Sequence, residues 1–282
     1  MASPAILGFF LFTIGPLLAS LVLSFTDYSV TNQFEFIGLD NFKRLFSGED
    51  VFFFKSLGVT FYYVLLSVPV GLVSSFFLAL LLKPKIPGRS FFRVLLYIPC
   101  IVPAIATATI FVWLLNPDIG LFNQILRALH LPTSQFIYSE QSVVPTLAFM
   151  NIWTSGSTML IFLASLEDIP IQYYEAVDVD GGNSFHKLLH ITLPMMTPTI
   201  FFNLVMGIIN GFQTFTQAFV MTEGGPNNAS LFYSVYLYRE AFTSQRMASA
   251  CALAWVLFVI IFLLSLLVFR SSNFWVHYEG DR

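Results

Sequence analysis

The sequence has very little charge for its length. Only 10% of its 282 residues are Asp, Glu, Lys or Arg, whereas 56% are apolar and 17% aromatic, and the mean hydropathy is +0.76. Soluble domains carry about a quarter charged residues, and they keep much of their surface in water. The formal net charge of −3 also offers no basic surface for a polyanion. These deficits exclude a soluble enzyme and a nucleic-acid-binding protein, and they indicate an integral membrane protein.

Groups for catalysis or cofactor binding are equally scarce. Cys100 and Cys251 are the two cysteines, both lie in apolar runs, and neither has a CxxC partner. No lysine follows a glycine, so the phosphate-binding loop of a P-loop ATPase is not encoded. The four histidines show no metal-binding spacing within an apolar run, and no Ser/His/Asp arrangement is recognisable. We therefore expect no catalytic, metal or cofactor site in this chain.

Six apolar segments are long enough to cross a membrane, which takes about 20 residues of helix. They cover residues 4–25, 56–82, 94–115, 143–166, 195–221 and 247–269, and none contains Asp, Glu, Lys or Arg. Helices are expected because backbone polar groups in lipid have to be hydrogen-bonded within the segment. The sequence therefore predicts an all-α, polytopic bundle of about six transmembrane helices, with residues 1–282 forming a single domain.

Segment 4–25 is expected to stay in the protein as the first span. It is longer than the apolar core of a signal peptide, no basic residue precedes it, and no small-residue cleavage site follows it. Its abrupt start indicates a natural N-terminus that is either short or trimmed.

Prolines interrupt five of the six apolar segments. Each removes a backbone donor and is expected to bend its helix, which neighbouring helices can tolerate. Bent helices suit a bundle that opens and closes, although proline is common in membrane helices generally. The prolines concerned are Pro16, Pro69, Pro99, Pro103, Pro145 and Pro198.

The orientation prediction depends on the short connection 83–93. Its positive charges are Lys83, Lys85, Arg89 and Arg93, and it contains no negative charge. Short basic loops stay on the cytoplasmic side of a membrane. We therefore predict that both termini lie inside, with residues 26–55, 116–142 and 222–246 outside.

The longest predicted cytoplasmic connection, residues 167–194, is polar but patterned. A helix is predicted to about Asp180, followed by a turn at Gly181 and Gly182 and by a second, short helix. Asn183 or Ser184 would cap this second helix, and Phe185, Leu188 and Leu189 would share one of its faces. An amphipathic helix–turn–helix of this kind is suited to docking a partner. Asp178 and Asp180 are expected to be solvated charges.

This connection resembles the EAA motif of the permease subunits of binding-protein-dependent ABC importers. The motif reads EAA, three residues, G, nine residues and I-x-L-P. Here Glu175-Ala176-Val177 precedes Gly181 by that spacing, and Ile191, Leu193 and Pro194 follow at the required distance. Val177 stands where the family has Ala, and Gly182 and Leu188 replace a usual Ala and Phe.

Other matches resemble the sugar-permease branch of that family, which includes maltose and glycerol-phosphate importers. They are Gly38-Leu39-Asp40-Asn41-Phe42, Arg93, Pro99, Pro103, Trp113, Asn116, Gly120, Asn123, Gly224-Gly225-Pro226 and the stretch from Ala248 to Trp255. Together they cover nearly the whole chain.

The resemblance implies the type I importer permease fold in a bacterial or archaeal inner membrane. It also implies a sister permease subunit, two ATP-binding cassette subunits that hold ATP and Mg, an extracytoplasmic solute-binding protein and a carbohydrate substrate. The chain itself would be neither an enzyme nor a cofactor carrier. The positions implied to contact the ATPase are Glu175, Ala176, Asp180, Gly181, Phe185 and Leu188.

A polar seam follows one face of the fifth segment. Asn203, Gly207, Asn210, Thr214 and Gln217 are spaced four, three, four and three residues apart, and Gln213 lies beside them. The fourth segment adds Asn151, Trp153, Thr154, Ser157 and Thr158. Buried carboxamides require partners, which can be sugar hydroxyls or neighbouring helices. Two roles are open for Trp153: its ring can cover the apolar face of a sugar, or it can pack against neighbouring side chains. Tyr62, Tyr63 and Trp113 are expected to be packing or interface aromatics.

The absence of a cation from the spans favours a neutral oligosaccharide over an anion such as a glycerol phosphate. An ion-coupled secondary transporter is the main alternative, but it would need Asp, Glu or His within a span. An intramembrane enzyme would need a set of catalytic residues, and none is recognisable here. Only the spacing of the EAA motif argues against a purely structural membrane subunit.

Overall fold

Helices make up nearly all the regular structure of this computed structural model, which describes residues 3–29, 34–84 and 87–277. In chain order they are α1 (Ser3–Leu23), α2 (Asp40–Ser47), α3 (Val51–Leu82), α4 (Arg89–Ile101), α5 (Ala104–Leu114), α6 (Leu121–Ala128), α7 (Val143–Ile152), α8 (Gly156–Asp168), α9 (Ile171–Val179), α10 (Ser184–Phe212), α11 (Thr216–Thr222), α12 (Tyr233–Tyr238) and α13 (Met247–Trp275). Within those ranges no β-strand forms, and an isolated bridge joins Thr26 to Phe36. The predicted all-α class is confirmed.

Four of these helices, α1, α3, α10 and α13, are long and apolar enough to cross a membrane unbroken. The other candidates in the described part of the chain are two bent pairs, α4 with α5 and α7 with α8, which bring the number of spans to as many as six. The chain is therefore a multi-pass helix bundle, as predicted. α3 begins ahead of the predicted segment because the Asp50 carboxylate accepts hydrogen bonds from the N–H groups of Phe52 and Phe53, at 3.0 and 3.1 Å.

The predicted third span, 94–115, is not one straight helix, because α4 and α5 meet at 96°. Val102 is extended, with φ −67° and ψ 131°. A residue before proline is pushed out of the helical region, and Pro103 has no N–H with which to continue the hydrogen-bond ladder. The fourth span is bent less sharply, by 45° between α7 and α8.

The predicted fifth span, 195–221, is divided differently in the structure. α10 begins at Ser184, so the second helix of the 167–194 connection and the fifth span form one continuous helix. A π-helical turn, Leu188–Thr192, lies within it. α10 then ends at Phe212, and the chain resumes as α11. The expectations of a separate short helix at 184 and of an unbroken span to 221 are both wrong.

α3 is the central helix and packs against α7, α8 and α10. Two glycines bring α10 close to it. A Cβ on Gly207 would lie 3.1 Å from Cγ1 of Val68, and one on Gly211 would lie 3.0 Å from Cγ2 of Val64. Small residues therefore set the separation of α3 and α10, as is usual between membrane helices.

The bundle has two distinct ends. The end at which α8, α9 and α10 meet is called the loop end below. At the opposite end the Tyr28 carbonyl accepts the Ala248 N–H at 2.9 Å, and the Tyr236 hydroxyl donates to Asp50. Which end faces the cytoplasm stays a prediction, and Lys85 of the basic connection lies outside the described residues.

α1 has no buried residue. The Trp255 indole N–H donates to the Ser20 hydroxyl at 3.2 Å, and the Asn41 side chain donates to the carbonyls of Ser24 and Thr26 at 2.9 and 2.8 Å. These contacts hold the end of α1 against the bundle. The apolar surface along the rest of the helix is left for lipid or for another subunit.

Candidate functional site

The α9–α10 connection forms an exposed helix–turn–helix at the loop end. α9 ends at Val179, and Gly181 adopts φ +74°, a conformation that glycine reaches at little cost. Oδ1 of Asn183 then accepts hydrogen bonds from the N–H groups of Phe185 and His186, both at 3.0 Å, and so caps α10. The predicted turn and the predicted cap at Asn183 are confirmed.

Most positions that the EAA resemblance assigns to an ATPase contact lie at the surface. Glu175, Ala176, Asp180, Gly181 and Phe185 are exposed, and Leu188 is half-buried. Val179 beside them is 87% exposed and Phe185 63%. A groove of about 310 Å³ between the end of α9 and the start of α10 is lined by Asp180, Gly181 and His190, among others. Exposed apolar side chains beside this groove suit a protein contact, and the role of each residue stays a prediction.

Ion pairs join the two helices of this helix–turn–helix and join the neighbouring α8 to α4. Oδ1 of Asp178 lies 2.6 Å from Nζ of Lys187, and the Asp178 side chain is 59% exposed, so Asp178 is a solvated charge as expected and is also paired. Glu167, near the end of α8, pairs with both Arg89 and Arg93, and its Oε1 lies 2.5 Å from Nη2 of Arg93. These pairs connect α9 to α10 and α8 to α4.

A cavity of about 260 Å³ lies between α3, α8 with the end of α7, and α10. Its polar wall residues are Tyr63, Ser67, Ser75, Asn151, Thr154, Ser155, Thr158, Asn203, Asn210 and Thr214. None of the described residues that line it is Asp, Glu, Lys, Arg or His. Hydroxyl and carboxamide groups of this kind can hydrogen-bond a neutral polar molecule, and they do not neutralise an ion.

Only part of the predicted polar seam reaches this cavity. Asn203, Gly207, Asn210 and Thr214 of the seam line it, and so do Asn151, Thr154 and Thr158 of the fourth predicted segment. Gln213 and Gln217 are not among the lining residues. Both follow the end of α10 at Phe212, and Gln217 belongs to the separate helix α11. Trp153 is also absent from the wall, and its half-exposed ring packs edge-on against Phe111, with ring centroids 5.8 Å apart.

The three carboxamides of the wall differ in their partners. The Asn203 side chain donates to the Thr199 carbonyl of its own helix at 2.8 Å, and the Asn151 side chain donates to the Tyr63 hydroxyl at 3.3 Å. The Asn210 side chain has no hydrogen-bond partner within the described ranges of the chain. Asn210 therefore has the largest unused hydrogen-bonding capacity of the three.

Sequence reasoning missed the contribution of α3. Tyr63, Ser67, Gly71 and Ser75 all line the cavity. Tyr63 is only 2% exposed, and its ring packs against Phe232 at a centroid distance of 4.8 Å. The packing role expected for Tyr63 is correct, but its hydroxyl also reaches the cavity. The sequence does contain a signal for this contribution, since small or polar residues recur every four positions from 63 to 75 and mark one helical face.

The bent helix bundle, the uncharged polar cavity and the exposed helix–turn–helix at one end suit a membrane transport protein. Comparison with known proteins agrees with this class. The family profile "Binding-protein-dependent transport system inner membrane component" matches residues 67–275. The chain belongs to this family, and it is therefore a membrane-spanning component of a transport system.

Individual relatives are similar over almost the full chain. The probable ABC transporter permease protein YesP of Bacillus subtilis is 43% identical over 99% of this chain and 91% of its own length. The arabinooligosaccharides transport system permease protein AraP of Halalkalibacterium halodurans is 31% identical over 94% of this chain and 84% of its own. Among solved structures, a bacterial alginate ABC transporter bound to an alginate pentasaccharide-bound periplasmic protein matches with a TM-score of 0.84. That match has 25% identity and covers 96% of this chain and 92% of the other.

Proposed function

We propose that this chain is one permease subunit of an ATP-driven carbohydrate importer in a bacterial or archaeal inner membrane. The observation that carries the proposal is the continuity of α10. It begins at the turn after Gly181, where the surface is suited to docking, and it ends beside the cavity that Asn203 and Asn210 line. One helix thus joins a docking surface to a polar cavity.

The proposed function requires several partners. A sister permease subunit completes the translocation path, and two ATP-binding cassette subunits supply ATP hydrolysis with ATP and Mg. An extracytoplasmic solute-binding protein delivers the substrate. The chain itself binds no cofactor in this proposal. The matching alginate transporter, whose description includes a periplasmic protein, and the description of the family support these kinds of partner.

The chemistry of the cavity favours a neutral oligosaccharide as substrate. An anion held in the membrane requires a buried cation, and the described lining residues include none. Hydroxyl and carboxamide groups such as those of Ser67, Asn151 and Asn210 match the donors and acceptors of sugar hydroxyls. The arabinooligosaccharide relative supports the same class of substrate.

The proposed mechanism is a conformational change driven from outside this chain. ATP binding draws the ATPase subunits together, and the α9–α10 turn, with Glu175 and Gly181 at the contact, moves with them. α10 carries the displacement to the cavity wall, which opens alternately to the two sides of the membrane. The chain therefore converts differential binding of ATP on a partner into a population shift between two conformations.

The proposal is tested by uptake into proteoliposomes that contain the complete transporter and its binding protein. The substrates are radiolabelled neutral oligosaccharides, including arabinooligosaccharides, with glycerol 3-phosphate and alginate oligosaccharides as anions. We expect ATP-dependent uptake of a neutral member. Uptake without ATP, or uptake of the anions alone, would contradict the proposal.

In the same assay Asn210→Leu should raise the KM for uptake roughly tenfold, the effect of losing about one hydrogen bond to a sugar hydroxyl. Gln217→Leu is the matched control, because Gln217 does not line the cavity, and it should leave the KM unchanged. Failure of the Asn210→Leu subunit to assemble would instead assign Asn210 to helix packing.

A further inference from the structure

Tyr174 stands next to Glu175 on α9, but its side chain is directed into the bundle. Glu175 is exposed at the surface, whereas the half-buried Tyr174 ring packs against the apolar cluster of the loop end, which includes Leu82, Leu166 and Met196. The two neighbouring residues therefore contact different surroundings. One faces a docking partner and the other faces the helices that carry the cavity.

The Tyr174 hydroxyl bridges the helices on both sides of the cavity. Lys83, the residue directly after α3, donates from Nζ to the Tyr174 hydroxyl at 2.6 Å. The same oxygen lies 3.1 Å from Oγ1 of Thr192 in α10. α3 and α10 both line the cavity, so one hydroxyl on α9 joins the two helices across it.

The direction of these hydrogen bonds follows from the chemistry of the groups. A lysine ammonium only donates, so the Tyr174 oxygen accepts from Lys83 and its own proton is free for Thr192. The Thr192 hydroxyl in turn donates to the Lys187 carbonyl at 3.2 Å. Donors therefore run in one direction from α3 through α9 to α10, an arrangement in which each bond strengthens the next.

This series of hydrogen bonds reaches α10 at a point where the helix is irregular. Thr192 is 4% exposed and is the last residue of the π-helical turn. π-helical turns within α-helices are rare and are frequently found at functional sites. The Tyr174 hydroxyl therefore contacts α10 at its π-helical turn.

We propose that Tyr174 is the positioning residue that transmits movement of the docking helix α9 to both α3 and α10. The hydroxyl makes the ends of these two helices move with α9 rather than slide past it. This inference rests on the proposed function, because it assigns the internal connection through which the docking surface acts on the cavity.

The substitution Tyr174→Phe isolates the hydroxyl. It keeps the ring that packs against the apolar cluster, and it keeps a surface for the Lys83 ammonium, which lies 4.0 Å from the ring centroid. Tyr173→Phe is the matched control, because it removes the same atom from the adjacent residue, whose side chain is 45% exposed.

The experiment measures cavity accessibility in the assembled transporter, with its sister permease and ATPase subunits, in lipid nanodiscs. Cys100 and Cys251 are replaced by serine, and Asn210→Cys provides a thiol in the cavity wall. The rate of labelling by a charged methanethiosulfonate reagent is compared with and without ATP and vanadate. This readout does not require knowledge of the transported sugar.

With Tyr174 present, ATP should change the labelling rate. In the Tyr174→Phe variant the ATP-dependent ratio of labelling rates should shrink by roughly tenfold, the effect expected for losing a charge-assisted hydrogen bond, while the ATPase subunits still co-purify. Tyr173→Phe should keep the full response. An unchanged response in Tyr174→Phe overturns the inference and leaves the proposed function intact.

Two further outcomes also test the inference. If Tyr174→Phe does not assemble, Thr192→Val removes the other hydroxyl with little change of shape, and a retained response in that variant overturns the inference. If the chain with Tyr174 intact neither binds an ATPase nor responds to ATP, the proposed function fails and this inference fails with it.

Discussion

Gly181 has an unusual backbone conformation but no close neighbour within the chain. Its φ of +74° is disfavoured for other residues, yet a Cβ placed there would meet nothing within 4 Å. A side chain at this position therefore costs about 1 kcal/mol in backbone conformation, with no clash inside the chain. Any larger effect has to come from what binds the turn.

Gly181→Asp should accordingly leave the permease folded in the membrane while abolishing uptake and ATPase binding. Gly48→Asp is the matched control, because Gly48 also has positive φ, at +85°, and open space around it, but lies at the opposite end. The measurement is recovery of the ATPase subunits when each variant is captured from mild detergent, together with uptake. Equal loss of the ATPase in both variants, or normal uptake by Gly181→Asp, would remove the docking role.

At the scale of elements, the start of α3 depends on one capping residue with two functions. Asp50 accepts the N–H groups of Phe52 and Phe53 and also accepts the Tyr236 hydroxyl of α12. Burial, followed by the Asp50 carboxylate, raises the pKa of the Tyr236 hydroxyl, so this donor keeps its proton at neutral pH. Asp50 therefore fixes both the first turn of α3 and the position of α12.

Asp50→Ala should destabilise the protein by roughly 1 to 2 kcal/mol, since an N-cap substitution alone costs about 1 kcal/mol and the Tyr236 hydroxyl also loses its acceptor. Asp50→Asn is the comparison, because asparagine caps helices as well as aspartate does. The apparent melting temperature of the detergent-purified transporter is the measurement. Equal melting temperatures for the Ala and Asn variants would show that the cap contributes little.

The elements also show what sequence can and cannot predict here. Apolar length located the spans, because lipid imposes one requirement on every membrane helix. Gly181 and Asn183 were predicted because turn and cap chemistry is local. A bend at Pro103 was also predicted, but its angle of 96° was not, since proline permits a bend and packing sets its angle.

The candidate site likewise has a part that could be predicted from the sequence and a part that could not. Asn203 and Asn210 could be placed on one helical face from their spacing alone. Gln213 and Gln217 were misplaced because nothing in their immediate sequence ends α10 at Phe212. The hydroxyls of Tyr63 and Tyr174 contact residues in distant parts of the chain, Asn151 and Lys83, and such contacts depend on the tertiary arrangement.

At the scale of the whole molecule, the two ends of the bundle are formed by different connections. The loop end carries Lys83, Arg89 and Arg93 together with the exposed α9–α10 turn. The opposite end carries α2, α6 and α12, with the 115–142 connection between α5 and α7. Positive residues in short connections favour the cytoplasmic side, so the loop end is predicted to face the cytoplasm.

This orientation can be measured with single cysteines at the two ends, in a background with Cys100→Ser and Cys251→Ser. Gln172→Cys reports on the loop end and Thr133→Cys on the opposite end, and both positions are exposed. A membrane-impermeant maleimide added to intact spheroplasts should label Thr133→Cys only, because the membrane shields the other cysteine. Inside-out vesicles should reverse the pattern, with Gln172→Cys labelled instead. The reverse result in both preparations would place the α9–α10 turn outside, where it could not meet a cytoplasmic ATPase.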